Sequence, residues 1–134
     1  MTSPPGPLNL TKLLAIAEEY FGSPLPIREI GLLESAAAQP YVTVFGEDAY
    51  PSPWDKAAVL LRTIVSNHPL VDGNKRLGWL AATAFLTRVG YSTSHITSSD
   101  AVDLVLRVAT EHLDIDTIAR ELCALTLGTE NKET

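Results

Sequence analysis

At 134 residues with 46% hydrophobic content, the chain is about one domain long and carries enough apolar material for a core without staples. Its 16 acidic against 10 basic side chains leave a formal net charge of -6, which disfavours the broad attraction that drives nucleic-acid binding. A single cysteine, Cys123, excludes an internal disulfide framework and a Cys-rich zinc module, and it points to a reducing compartment such as the cytoplasm.

No apolar run approaches the roughly 20 residues that span a bilayer. Met1 to Pro7 holds three prolines and no basic-then-apolar signal pattern, so a soluble, unexported cytoplasmic protein without membrane contact is expected. One domain over 1–134 is expected, with 1–7 and 129–134 as disordered tails.

Along the chain, Leu10, Leu13, Leu14, Ala17 and Phe21 fall on one helical stripe, stopped by Gly22 and Pro24. Gly31 to Ala38 is a short second helix, ended by Pro40 and its restriction on Gln39. Tyr41 to Phe45 is β-branched and aromatic, with Gly46-Glu47-Asp48 as turn residues, and reads as an extended segment or small hairpin. Ser52-Pro53 opens a long, mostly buried third helix to Asn67. A fourth runs from the loop at 68–73 through Leu77, Leu80, Ala81, Ala84, Phe85 and Leu86 to a stop at Gly90. Ser98-Ser99-Asp100 caps a fifth, and Asp114 to Asp116 opens a sixth that stops at Gly128. These elements predict an all-α bundle with one small β-hairpin.

The chemistry concentrates in residues 68–76, His-Pro-Leu-Val-Asp-Gly-Asn-Lys-Arg, between two apolar helices. Gly73 lets backbone approach a ligand closely, and the first turn of the following helix offers N–H groups and the positive dipole end. Lys75 and Arg76 add charged donors, so a phosphate group is the natural occupant, and Asp72 could hold a magnesium ion on phosphate oxygens. His68 is the only base in the stretch whose ordinary pKa is near neutrality. Taken singly, Asp72-Gly73-Asn74 is a turn and helix start and Lys75-Arg76 a solvated face. Together they suit phosphoryl or nucleotidyl transfer to a hydroxyl.

This stretch resembles the Fic motif, His-x-Phe-x-(Asp/Glu)-Gly-Asn-(Gly/Lys)-Arg, and more closely its death-on-curing (Doc) branch, where lysine precedes the arginine. Gly31 to Ala36, Phe45 to Tyr50, Lys56-Ala57-Ala58 and Phe85-Leu86 with Gly90-Tyr91 extend the resemblance over roughly residues 8 to 125. The resemblance implies a Fic-type helical bundle and an ATP- and magnesium-dependent protein-modifying transferase. It makes His68 the general base, Asp72 the magnesium ligand, Gly73 and Asn74 part of the anion hole, and Lys75 and Arg76 the phosphate clamp. Residues 41–48 become a flap that aligns the target backbone. It further implies a toxin of a toxin–antitoxin system, a target such as elongation factor Tu, and an antitoxin whose disordered segment folds into a groove.

Two positions depart from the pattern. Leu70 stands where phenylalanine is usual, an anchor swap with a modest packing cost. Trp79 stands where adenylylating members carry a second arginine three residues after the first, which favours phosphoryl over adenylyl transfer. A catalytically idle binding module is the remaining alternative, and it has no need of the charged loop.

Outside the loop, His95 and His112 lack a second ligand at helical metal-site spacing, and Cys123 lies in an apolar stripe as a buried thiol. Residues 126–131, Thr-Leu-Gly-Thr-Glu-Asn, match a loose (Ser/Thr)-x-x-x-Glu-(Gly/Asn) inhibitory pattern, but the arginine its glutamate would pair with is absent.

Overall fold

Capping side chains fix where most of the helices begin. The computed structural model describes residues 7–128, so residues 1–6 and 129–134, with the second half of the 126–131 match, lie outside the described residues. Asn9 accepts from the Lys12 N–H at 2.9 Å and opens α1, Leu10–Phe21. The second helix, α2, is Ile30–Ala38, prolonged by one 3-10 turn, Gln39–Tyr41, whose tighter first turn accommodates Pro40.

The chain then forms a minimal hairpin, with β1, Thr43–Val44, antiparallel to β2, Glu47–Asp48, in the register Thr43 opposite Asp48 and Val44 opposite Glu47. This corrects the expected turn: Glu47 and Asp48 are the return strand, and the connection is Phe45-Gly46, both at positive φ (52° and 82°). Two residues of that hand match the twist of the strands they join.

Ser52 accepts from the Asp55 N–H at 3.0 Å, with Pro53 in the first position of α3, Pro53–Asn67. Next comes α4, Asn74–Arg88, followed by Gly90 at φ 107°. In α5, Ser98–Glu111, the cap is Thr97 and not the Ser98-Ser99-Asp100 run: its hydroxyl accepts from the Asp100 N–H at 3.1 Å. Asp114 caps α6, Ile115–Leu127, and the Thr117 N–H it accepts holds its carboxyl below the ordinary aspartate range.

Six helices and the hairpin among the described residues make this the all-α, Fic-type bundle expected. The central element is α3, packed most extensively on α4 and then α6. On one side Leu60, Leu61 and Val65 of α3 join Phe85 and Leu86 of α4, Leu104 and Val108 of α5, and Ile118 and Leu122 of α6. On the other, Ile64, Leu77 and Ala81 pack with Leu13 and Ala17 of α1 and Leu33 and Ala36 of α2. Burying each such large side chain stabilises by about 1.5–3 kcal/mol, so both clusters hold the α3–α4 pair.

Gly78 is what lets that pair close up. A Cβ there would sit 3.0 Å from Leu61 Cδ1 and 3.0 Å from Val65 Cγ2. The end of α3 and the start of α4 are joined by a short loop pinned to the core by Leu70, fully buried in the second cluster. Leucine therefore fills the anchor position as expected. Cys123, expected to be buried, is only half-buried on α6.

The hairpin is tied down by Lys56 of α3. Its ammonium, on a side chain only 15% exposed, donates to the carbonyls of Tyr50 at 2.6 Å and Pro40 at 3.0 Å and meets Asp48 Oδ2 at 3.3 Å. The Tyr41 hydroxyl, just before the hairpin, donates to the Leu8 carbonyl at 3.0 Å. No helix among the described residues is long and apolar enough to cross a membrane.

Candidate active site

The third helix ends because His68 adopts the left-handed conformation, φ 54° and ψ 60°, while its own N–H still donates to Ile64 O at 3.2 Å. For a non-glycine residue that geometry costs on the order of 1 kcal/mol and persists only where neighbours hold it. Here they do. Arg28 donates from Nε to the His68 carbonyl at 2.8 Å and from Nη2 to the Asn67 carbonyl at 2.9 Å, covering two of the acceptors that a helix end leaves without partners. The flanking backbone adds a strap: Arg28 N–H to Pro69 O at 2.7 Å, Glu29 N–H to Pro69 O at 3.1 Å and Val71 N–H to Pro26 O at 2.7 Å. Ile27 and Leu70 pair there as an antiparallel bridge.

Inside the loop, Asn74 acts as the brace. Its buried amide accepts from the Leu70 N–H at 2.8 Å and donates to the Leu70 carbonyl at 2.9 Å. One donor and the acceptor of the side chain are thus engaged by the loop, while the main-chain N–H of Asn74 faces the helix start.

Gly73 is the residue at the N-terminus of α4, with φ 91°, and a Cβ on it would lie 2.8 Å from Phe21 Cε1. Positive φ and that close approach both require glycine. No described side chain caps this helix start, and the first helical bond is Leu77 N–H to Gly73 O at 2.9 Å. The N–H groups of Asn74, Lys75 and Arg76 therefore have no acceptor within the helix, at the end carrying the positive half of its dipole. Such a terminus binds anions.

His68, Asp72, Gly73, Asn74 and Lys75 all line one cavity of about 350 Å³. His68, Asp72 and Lys75 are exposed to it, so a base, a carboxylate and a cation surround the uncapped helix start. The last expected residue, Arg76, lies elsewhere. Its guanidinium carbon sits 5.9 Å from the centre of the Tyr20 ring, and it lines a second cleft of about 400 Å³ with Tyr20, Trp79, Ile96, Val102 and Leu106. Lys75 lines both hollows.

Sequence reasoning weighed His112 only as a metal ligand and set it aside. It ends α5 in the left-handed conformation, φ 52° and ψ 50°, and borders the same cavity as His68. The one legible sign was its place between a helical stripe and the Asp114 cap, where a residue tolerant of positive φ is needed. His95, by contrast, bonds the Leu125 carbonyl at 3.1 Å. Thr126, first position of the loose inhibitory match, is buried on α6.

Among the described residues no group of three or more His, Cys, Asp or Glu side chains is placed to hold a metal ion. That does not exclude magnesium, which is ordinarily held by one or two carboxylates, several waters and the phosphates of its substrate. Exposed Asp72 beside an uncapped helix start fits that mode.

The residues of this site lie within the reach of known relatives. The family model described as Fic/DOC family matches residues 7–86, which span α1 through most of α4. A protein named Toxin Doc from Mycolicibacterium smegmatis is 47% identical over 116 residues, covering 86% of this chain and 89% of that protein. With the helical bundle, the hairpin and the 68–76 loop all in place, the chain belongs to the Fic/Doc family.

Proposed function

We propose that this protein is a Doc-like toxin of a toxin–antitoxin system that transfers the γ-phosphoryl group of ATP to a serine or threonine hydroxyl of a cytoplasmic protein. The observation that carries the reading is the convergence of His68, Asp72, Lys75 and the uncapped start of α4 on one cavity. Its toxin and antitoxin aspects rest on the likeness to a protein named Toxin Doc. A translation factor such as elongation factor Tu is the target class that the Doc resemblance implies, and a disordered antitoxin segment is the partner.

The chain's own groups divide the work as follows. His68, held by Arg28, accepts the proton of the target hydroxyl as its oxygen bonds to the γ-phosphorus. The bond from that phosphorus to the β-bridging oxygen breaks, and ADP leaves. The N–H groups of Asn74 and Lys75, with the Lys75 ammonium, hold the charge spread over the transferred group's oxygens. Asp72 would hold magnesium, which neutralises phosphate charge when bound. The hairpin presents exposed Val44 and a fully exposed Phe45, an edge along which a target segment can be aligned.

The test is transfer of label from γ-labelled ATP to protein in a cytoplasmic extract, with the His68→Ala variant beside the natural chain. We expect transfer to fall about 100-fold or more with ATP binding retained. Loss of ATP binding in parallel would make His68 structural and remove the base from this scheme.

A further inference from the structure

Of the three non-glycine residues with positive φ among the described residues, two are histidines, and both border the cavity at the start of α4. The third, Phe45, belongs to the hairpin turn. His68 has its place in the scheme above; His112 has none.

The turn itself does not ask for a histidine. His112, Leu113 and Asp114 alone connect α5 to α6, and His112 reverses the chain there in the left-handed region, φ 52° and ψ 50°. Glycine does this without strain, and asparagine with little. Leu113 packs against the core and Asp114 caps α6, which accounts for the two neighbours. His112, by contrast, is exposed and makes no hydrogen bond or ion pair with any described residue. A strained backbone kept without a structural partner marks a functional position.

The position is nevertheless fixed. Leu104, Val105 and Val108 bury the inner face of α5, and Arg107 pairs through Nη1 and Nη2 with both carboxylate oxygens of Glu121 on α6. His112 thus reaches the cavity from the end of an anchored helix, while His68, Asp72 and Lys75 come from the α3–α4 side. An imidazole carries an N–H in either protonation state, so a ring with no partner of its own can donate to a phosphate oxygen there.

We propose that His112 is a substrate-contacting residue of the transfer site, donating from its ring to an oxygen of the γ-phosphate at the start of α4. The proposal rests on the reading of this cavity as the site of γ-phosphoryl transfer and adds to it a contact from α5. His68 takes the proton of the target hydroxyl. His112 takes none; with Lys75 it holds charge on the non-bridging oxygens of the transferred group.

The test is calorimetric binding of magnesium-ATP and magnesium-ADP to the full chain and to His112→Gly and His112→Asn. Both replacements suit a left-handed backbone, so neither variant should unfold at a lower temperature than the natural chain. We expect the natural chain to favour ATP over ADP. Each variant should lose about tenfold in ATP affinity, the scale of one hydrogen bond to a charged group, with ADP affinity unchanged. An unchanged preference for ATP in both variants, or a parallel loss of ATP and ADP, would overturn the role of His112 while leaving the transfer-site reading standing. A natural chain that binds ADP as tightly as ATP would remove the γ-phosphate from this cavity, and the proposal with it.

Discussion

Arg28 donates from Nε to the main-chain carbonyl of His68 at 2.8 Å, across 40 residues of sequence, and its Nη2 reaches the neighbouring Asn67 carbonyl at 2.9 Å. The guanidinium thus closes the end of α3 at the one residue whose backbone is in the left-handed region there. Its side chain is 48% exposed, so the two bonds contribute little to global stability. We predict that Arg28→Ala lowers kcat for transfer by about tenfold, with the KM for ATP within about twofold and unfolding within about 1 kcal/mol of the natural chain. Lysine, which cannot span both carbonyls with a planar fork, should not restore kcat, whereas added guanidinium ion should do so in part. A fall in thermal stability that accounts for the lost activity would reduce Arg28 to a structural role.

Asn74 makes a contrasting prediction. Its amide satisfies both main-chain groups of buried Leu70, so Asn74→Ala leaves a buried donor and a buried acceptor without partners. The expected cost is about 2–4 kcal/mol of unfolding free energy, read from a denaturant titration. Asn74→Asp keeps the acceptor for the Leu70 N–H but sets a carboxylate oxygen against the Leu70 carbonyl, and it should cost at least as much. If both variants unfold like the natural chain, the brace carries no stability.

These two residues also mark how far the sequence could be read. Periodicity and caps made the helices legible, since Ser52-Pro53 and Asp114 act locally and their signals lie beside the elements they start. The loop at 68–76 was legible for the same reason, its chemistry being packed into nine consecutive positions. Arg28 and Lys56 were not, because each works by meeting main-chain carbonyls of a segment that only the tertiary fold brings near. His112 reaches the cavity of His68 through the packing of α5, which no pattern of residues announces. The split between Lys75 and Arg76 was hidden too: adjacent on the chain, they diverge by about 100° around the helix, and Tyr20 draws the arginine to the outer cleft.

Asp72 should carry the metal dependence. A neutral amide is a poor ligand for a hard cation, so Asp72→Asn should abolish the magnesium enhancement of ATP binding while weak metal-free binding at the α4 terminus remains. Calorimetry with and without magnesium checks this. A variant with the full magnesium effect would take Asp72 out of the metal role.

The reaction itself is decided by which phosphorus lies beside His68. Adenylylation needs the α-phosphate over the start of α4 and the β- and γ-phosphates held farther along the helix. One turn on, this chain offers Trp79 in an apolar cleft, while its cations stand at the helix start and the cleft mouth. Phosphoryl transfer instead needs the γ-phosphate at the helix start, with the nucleoside beyond it. The direct measurement is parallel incubation of the protein and its target extract with γ-labelled and with α-labelled ATP, followed by mass analysis of the labelled protein. Label from the γ position alone, with the mass gain of one phosphoryl group, is the predicted result; label from the α position, with the mass gain of one nucleotide, would contradict it.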